Sequence, residues 1–239
     1  MFIINSGDWI TLALTGLVGT DSLSLHTLNE DHSELPSGET RLSFFHAAEG
    51  VPALNVIANG NTLFQLVAYP EANSNERLDD GFVTVDIVAN TYAVRLQESL
   101  SAENLFNLGE QVLLPNRHYF IGFIGTSDSY QTIQVSTPLG QQPENIVEAT
   151  PEINADVGYL RVVHLASGSP DIDLYIDGQL SAFQQIGFTT VTDFIALPVG
   201  DYTIVPTPAG GSSSGRPCRR RRRKHRRPSV PSRRRRRGP

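Results

Sequence analysis

Apolar and polar positions alternate with a period of two along most of this chain. In segment 171–177, Ile172, Leu174 and Ile176 alternate with mostly acidic positions, which is the pattern of a strand with one buried face. Segment 82–88 is rich in β-branched residues, as strands are. The pattern predicts short strands, and turn residues between them predict antiparallel pairing.

Turn signals recur between these segments, and they set the predicted architecture. Asn-Gly at 59–60 and Asp-Gly at 177–178 supply the left-handed positions of tight hairpins. Window 99–109 alone has helix-like apolar spacing, which leaves a short helix there as an alternative to a strand. Strands every ~8–12 residues predict an all-β fold, namely an antiparallel Ig-like β-sandwich.

An internal duplication adds to this picture. Segment 41–60 aligns without a gap on segment 159–178. Four pairs of turn-forming or polar residues are identical: His46 with His164, Gly50 with Gly168, Pro52 with Pro170, and Gly60 with Gly178. Because both copies keep the same spacing, we expect each copy to fold in the same way.

Further matches divide the chain. Segment 92–96 aligns with 202–206 at a shorter offset, so we expect the first copy to carry extra residues in the polar loop 71–80. Segment 9–15 aligns with 119–125 at that same offset. The predicted division is the C-terminal half of a preceding repeat at 1–38, a complete sandwich at 40–156, the N-terminal half of the next repeat at 157–210, and a linker with a basic tail at 211–239. We expect the two halves to pair as a permuted second sandwich, since each alone leaves strand edges open.

Charge is distributed very unevenly. Residues 1–215 hold all 25 Asp and Glu against five Arg, a net charge of −20, although the whole chain carries only −6. We call residues 1–215 the body of the chain, and a body with this much negative charge repels nucleic acid and anionic lipid. The single cysteine, Cys218, lies outside it, so the body has no disulfide or thiolate site. No apolar run is long enough for a membrane-spanning helix.

The Arg-rich tail at 216–239 allows two interpretations. A genuine tail of this charge binds nucleic acid through counterion release, although the acidic body competes for it. Alternatively, a Pro- and Ala-rich linker read out of frame in a GC-rich gene yields Arg and Pro. In either case we expect the tail to be disordered, because like charges repel and it has almost no apolar side chains to bury.

The residues of segment 161–178, followed by those of 197–210, resemble DUF4397, a domain of unknown function. The first copy is more divergent, since Asn55 and Asn59 stand where the second copy has acidic residues. The resemblance implies tandem β-sandwich modules in secreted and cell-surface proteins of bacteria or archaea. It brings no established catalytic residues.

Candidate chemistry is sparse. No equivalent Ser or carboxylate stands near His46 and His164 in both copies, so we interpret these histidines as turn-stabilising side chains bonded to backbone rather than as ligands. Asp171, Asp173 and Asp177 share a strand face and are weak candidates for Ca²⁺. Same-face positions lie ~6.6–7 Å apart on a flat strand, so a solvated acidic face is the preferred interpretation.

Two other groups of residues have a structural interpretation as well as a functional one. The acidic segment 29–31 is also expected to be solvated. Aromatic residues could form a sugar-stacking platform. However, apolar residues occupy both odd and even positions of their strands, which favours strands that are buried on both faces. These aromatic residues are Trp9, Tyr119, Phe120 and Phe123.

The sequence therefore predicts a non-catalytic β-sandwich module with a spacer or adhesive role, as a fragment of a secreted or cell-surface protein. We expect no catalytic residues and no cofactor. Neighbouring repeats or an unknown surface ligand are the expected partners. A glycan- or calcium-binding surface module is the alternative, and nucleic-acid binding through the tail ranks third.

Overall fold

The computed structural model describes residues 2–16, 23–70, 81–140 and 156–211, and within these ranges it contains strands and no helix. The strands of the first half are β1 (Phe2–Ile4), β2 (Trp9–Thr15), β3 (Ser24–Glu30), β4 (Glu39–Glu49), β5 (Leu54–Ala58), β6 (Asn61–Val67), β7 (Phe82–Val88) and β8 (Thr91–Glu98). Those of the second half are β9 (Asn104–Val112), β10 (Arg117–Thr126), β11 (Ser129–Pro138), β12 (Val157–His164), β13 (Ile172–Ile176), β14 (Gln179–Leu180), β15 (Ile195–Pro198), β16 (Gly200–Tyr202) and β17 (Ile204–Pro208). The all-β prediction is confirmed.

The first sandwich consists of β4 to β11. One four-stranded sheet has the order β11-β10-β4-β7, and the other has the order β6-β5-β8-β9. Alternate side chains of both sheets meet in one apolar core, which includes Phe44, Leu96 and Phe123. This packing follows from the period of two, because every second side chain points to the same face.

The second sandwich combines both ends of the described chain. Its central sheet has the order β15-β12-β2-β3, in which β2 and β12 pair in parallel with Trp9 opposite Tyr159. Its outer layer contains the sheet β14-β13-β17 and the pair β1-β16. Ile4 and Leu12 lie in the same apolar core as Val162 and Leu174. The segments before residue 31 and after residue 156 thus share two sheets and one core.

The two central sheets also pack against each other. On β10, Phe123 enters the first core, whereas Phe120 faces a separate apolar cluster. We call this cluster the interface layer. It consists of Ala13, Leu28, Phe45, Ala47, Phe120, Ile124, Val163 and Leu165, which come from both central sheets. Both faces of the central strands are therefore buried, and the arrangement is four layers deep.

Both predicted hairpin turns have the expected backbone. Asn59 and Gly60 have φ of 50° and 82°, and Asp177 and Gly178 have φ of 49° and 77°. Asn59 Oδ1 accepts the N–H of Ala93 at 2.8 Å, and Asp177 Oδ1 accepts that of Thr203 at 2.7 Å. The turn side chain thus ties each hairpin to the segment that pairs on its other side, which is β8 in the first sandwich and the start of β17 in the second.

Two details differ from the expectation of an antiparallel sandwich of strands with one possible helix. Each central sheet contains one parallel pair, β4 with β10 and β2 with β12. In the first sandwich, β4 and β10 can be parallel because the intervening chain crosses to the other sheet and back. Window 99–109 begins with a turn and continues as β9, not as a helix, and Leu105 and Phe106 pack on the first core.

Several sequence predictions lie outside the described residues. These are the extra residues at 71–80, the end of the predicted repeat at 141–155, and nearly all of the linker and basic tail, from 212 onward. The described segments contain no helix with the length and apolarity that a membrane crossing requires.

Candidate functional site

A cluster of buried polar side chains lies between the two central sheets, beside the interface layer. We call it the polar cluster, and it consists of Thr11, Glu30, His32, His118 and Arg161. Thr11 lies on β2 and Arg161 opposite it on β12, because the parallel register pairs these two residues. Glu30 ends β3 and His32 follows two residues later. His118 comes from β10 of the first sandwich, so the polar cluster spans both sandwiches.

The ion pair of Arg161 with Glu30 is the electrostatic centre of the polar cluster. Arg161 Nη2 lies 2.5 Å from Glu30 Oε1, and the side chains are 2% and 0% exposed. Arg161 Nε donates to Thr11 Oγ1 at 2.7 Å, and Thr11 in turn donates to Glu30 Oε1. The guanidinium also lies over the rings of Phe194 and Phe120, 4.6 and 5.2 Å from their centroids.

Both histidines converge on the other oxygen of Glu30. His32 Nε2 and His118 Nδ1 each lie 3.0 Å from Glu30 Oε2 and 3.1 Å from each other. Ser43 Oγ lies 2.7 Å from His118 Nε2 and 2.7 Å from Thr84 Oγ1. The contacts thus continue from Glu30 into the first sandwich.

An aromatic ring and a backbone clamp hold His32 in place. The ring of Trp9 stacks on it with centroids 4.0 Å apart and planes inclined by 8°. Arg41 Nη1 donates to the carbonyl oxygens of Asp31 at 2.8 Å and Ser33 at 3.3 Å, on either side of His32. His32 Nδ1 is buried and has no hydrogen-bond partner within the described ranges.

The charge states follow from these surroundings. Burial acts to raise the pKa of Glu30, but the charge of Arg161 and the hydrogen bonds from His118 and His32 together hold that pKa well below its usual range. Burial lowers the pKa of His32 to about 4, although its hydrogen bond to Glu30 opposes the shift. At neutral pH, Glu30 is therefore anionic beside cationic Arg161, and His32 is neutral.

The polar cluster contains side chains that could act as a general base, but these side chains are not exposed to solvent. A carboxylate beside two imidazoles can accept or relay a proton. However, the side chains of Glu30, His32 and His118 are only 0–1% exposed. Phe194, which contacts both His32 and Arg161, also lines a hollow together with Phe183, Ile186 and Asp193. The geometry thus favours a structural or ion-binding role.

The structure places His46 and His164 away from the polar cluster, in matching surroundings. Each Nε2 faces a proline carbonyl oxygen, that of Pro52 at 3.2 Å and that of Pro170 at 3.3 Å. Each Nδ1 accepts a backbone N–H two residues later, at 3.3 and 3.4 Å. Both rings are fully buried and bonded to backbone at both nitrogens.

Burial lowers the pKa of both of these histidines. The pKa of His46 falls to about 4, because burial outweighs the favourable backbone hydrogen bonds. Burial likewise lowers the pKa of His164. Each ring is therefore neutral at physiological pH.

The three aspartates suggested for Ca²⁺ already accept hydrogen bonds at two positions. Asp173 is buried and accepts the N–H of Gln185 at 2.9 Å and that of Gly210 at 2.8 Å, one on each oxygen. Asp177 accepts the N–H of Thr203, whereas the carboxylate of Asp171 lies close to Gly187. These contacts make backbone acceptors of Asp173 and Asp177. The calcium hypothesis remains a prediction, and a melting temperature that rises with added Ca²⁺ would support it.

The expectation of a solvated acidic segment at 29–31 is wrong for Glu30, which is 6% exposed because it pairs with Arg161. Sequence reasoning also missed His32, His118 and Arg161 as a group. One signal was present: Arg161 interrupts an otherwise apolar strand, where a charge needs a partner. The buried aromatic strands are confirmed, with Tyr119 and Phe123 in the first core and Phe120 in the interface layer.

Comparison with known proteins identifies part of the chain. No curated protein matches it. The model of one family, described as a domain of unknown function (DUF4397), matches residues 158–217, which include all of β12 except its first residue, β13 to β17, and Arg161. Over these residues the chain is similar to DUF4397 domains.

Proposed function

We propose that this protein is a non-catalytic, stiff spacer module in a secreted or cell-surface protein built from tandem β-sandwich repeats. The observation that carries the proposal is the face-to-face packing of the two central sheets. This packing combines the apolar interface layer with the Glu30–Arg161 ion pair. A continuous buried layer resists bending far better than a flexible linker does, and a spacer needs that stiffness.

Matched contacts support the repetition. Tyr92 donates its hydroxyl to the carbonyl of Val88 at 2.8 Å, and Tyr202 donates to that of Pro198 at 2.7 Å. His46 and His164 make the same two backbone contacts, as do the turns at Asn59 and Asp177. Such correspondence between side-chain contacts supports a repeated module, since sequence identity between the copies is low.

The distribution of charge supports a role in an aqueous exterior. The net charge of −20 over residues 1–215 favours solubility. Glu30 and His32, whose pKa values are lowered, are by contrast buried between the sheets, where they cannot reach a substrate. Neighbouring repeats are the partners that this arrangement fits, and a surface ligand is the adhesive variant of the same proposal.

Pulsed electron paramagnetic resonance tests the stiffness. Spin labels at Leu100→Cys and Leu180→Cys, in a Cys218→Ser background, report the distance between the two sandwiches from exposed positions, 91% and 46% accessible. We expect one narrow distance distribution, as narrow as that of the control pair Leu100→Cys with Val88→Cys within the first sandwich. A broad or multiple distribution for the first pair alone would contradict a stiff spacer.

Location needs its own measurement. Labelling intact cells of the source organism with a membrane-impermeant amine- or carboxyl-reactive reagent would mark the protein if it is displayed outside. We expect labelling before lysis equal to that after lysis. Labelling only after lysis would place the protein inside the cell and overturn the surface role, while leaving the stiffness measurement unaffected.

A further inference from the structure

Three ligand-type atoms of the polar cluster form a nearly equilateral triangle. Glu30 Oε2 lies 3.0 Å from both His32 Nε2 and His118 Nδ1, and the two nitrogens are 3.1 Å apart. The three atoms come from three different positions, the end of β3, the loop after it, and β10. Two imidazole nitrogens and one carboxylate oxygen suit first-row divalent transition ions.

The size of this triangle fits one ion. Zinc binds imidazole nitrogen at ~2.0–2.1 Å and carboxylate oxygen at ~2.0–2.2 Å. An ion ~2.1 Å from each atom of the triangle would have angles of about 91–95° between its ligands, close to the 90° of three ligands on one face of an octahedron. Without an ion, there are two arrangements of the protons. Either both imidazoles donate to Glu30 Oε2, which brings their protons within about 2 Å of each other, or one ring nitrogen is left as an acceptor 3.0 Å from the carboxylate oxygen. The triangle is therefore better explained by a shared cation.

We propose that Glu30, His32 and His118 bind a divalent transition-metal ion such as Zn²⁺, which links the two sandwiches. Glu30 and His32 belong to the second sandwich and its following loop, whereas His118 belongs to the first. The bound ion thus cross-links the four-layer arrangement. This site is independent of the proposed surface function, because a failure to bind metal would leave the interface layer in place.

The surroundings orient each ligand. Ser43 Oγ accepts the Nε2–H of His118 when Nδ1 binds the ion, and passes a hydrogen bond to Thr84, at 2.7 Å each. Such outer partners fix the ring of a metal-binding histidine. The stacked ring of Trp9 fixes His32. Thr11 and Arg161 bind the other oxygen of Glu30, which leaves Oε2 for the ion.

Arg161 is the one feature that opposes the ion. Its positive charge lies 2.5 Å from Glu30 Oε1 and competes for the same carboxylate. We therefore expect Arg161→Met to bind the metal about tenfold more tightly or better, because a nearby like charge is removed from a buried site. If the polar cluster served only as an ion pair, Arg161→Met would destabilise the fold and would bind no metal.

Burial makes this a structural site. All three ligand side chains are 0–1% exposed, so a substrate has no access to the ion through the described residues. Metal binding then adds to folding stability, since the unfolded chain does not hold the three ligands together. We expect Zn²⁺ to raise the melting temperature and a chelator to reverse this rise.

The direct test uses Co²⁺ and Zn²⁺ on the full chain. Cys218→Ser and His225→Gln first remove the potential metal ligands Cys218 and His225 of the tail. We expect the refolded, metal-free protein to take up one Co²⁺ per chain, with visible d–d absorption that one equivalent of Zn²⁺ abolishes. No absorption and no change in melting temperature with either metal would overturn the proposal, whatever the variants do.

Two substitutions assign the site. His32→Phe preserves a ring for stacking on Trp9 but removes the nitrogen, and should abolish Co²⁺ absorption. His26→Phe is the matched control, because His26 lies on β3, is half-buried and bonds Thr15 at 2.9 Å without touching the polar cluster. Uptake lost in both variants, or retained in His32→Phe, would contradict the assignment. If His32→Phe does not fold, Co²⁺ uptake by the parent protein and its affinity in Arg161→Met test the proposal instead.

Discussion

At the scale of single residues, His46 shows how a neutral imidazole stabilises a turn. Its Nδ1 accepts the N–H of Ala48, and its Nε2–H donates to the carbonyl of Pro52. A second proton on Nδ1 would face the Ala48 N–H, and burial already penalises the charge. The folded pKa of about 4 lies below the unfolded value near 6.5. Between these values the unfolded chain binds more protons, so acid favours unfolding.

We therefore predict that stability falls as pH decreases from about 6.5 to about 4. At the acid end of that range, the lowered pKa of His46 reduces the unfolding free energy by roughly 3 kcal/mol. Among described neighbours, the rings of Tyr69 and Phe123 face the imidazole, and Tyr69 stays neutral because burial raises its pKa. Guanidinium unfolding between pH 4.5 and 7.5 measures the effect. His46→Gln should flatten the slope, and an unchanged slope would refute this account.

Glu30 and Arg161 carry the second prediction at this scale. Glu30→Gln leaves the Arg161 charge buried without a counter-ion, and should cost about 3–5 kcal/mol of unfolding free energy. The double variant Glu30→Gln with Arg161→Met removes both charges and should recover much of that loss. Urea unfolding with a chelator present separates this effect from metal binding. The control is Asp86→Asn, whose carboxylate pairs with Arg41 but is 39% exposed, and should cost under ~1 kcal/mol. Equal losses for Glu30→Gln and Asp86→Asn would contradict the buried ion pair.

At the scale of elements, Gly158 is where β12 meets the N-terminal segment. A Cβ at this position would press on the side chain of Ile4 and lie 2.8 Å from the carbonyl oxygen of Asn5. Both neighbours belong to the beginning of the chain, far from β12 in sequence. The clash therefore tests whether the two chain segments pair as described.

We predict that Gly158→Ala destabilises the protein by about 2 kcal/mol or more, because backbone must move to relieve the contact. Gly200→Ala is the matched control, since β16 also lies beside β1, yet its nearest atom is 3.8 Å away. Hydrogen exchange should show lost protection in β2 as well as β12 for Gly158→Ala alone. A tolerated Gly158→Ala would argue against the pairing.

The sequence could predict those features of the fold that depend on neighbouring residues, but not those that depend on contacts between distant residues. The strands and the Asn59 and Asp177 turns were predictable, because period and turn conformation are properties of neighbouring residues. The parallel pairing of Trp9 with Tyr159 was not, since it joins residues at opposite ends of the body. Glu30 and Asp31 are adjacent acids, yet the Glu30 side chain is fully buried and that of Asp31 is 60% exposed. Glu30 is surrounded by Arg161 and two histidines from distant parts of the chain or the following loop, whereas Asp31 pairs with Arg41 at the surface.

At the scale of the whole molecule, the interface layer should make the two sandwiches unfold together. It buries Phe45 and Phe120 of the first central sheet against Ala13 and Val163 of the second. Trp9, the only tryptophan, lies in the second sandwich beside the polar cluster. Its fluorescence reports the second sandwich, while far-UV circular dichroism reports all strands. The two probes should give coincident transitions in the parent protein.

Adjacent phenylalanines on β4 then test the coupling. Phe44→Ala leaves a cavity in the first core and should cost about 3–5 kcal/mol. If the sandwiches are coupled, it also lowers the denaturant midpoint of Trp9 fluorescence, although Trp9 lies in the other sandwich. Phe45→Ala opens the interface layer instead, so the fluorescence and dichroism transitions should separate. If Phe44→Ala left the denaturant midpoint of Trp9 fluorescence unchanged, the two sandwiches would unfold independently. The shared layer would then be too weak to stiffen a spacer.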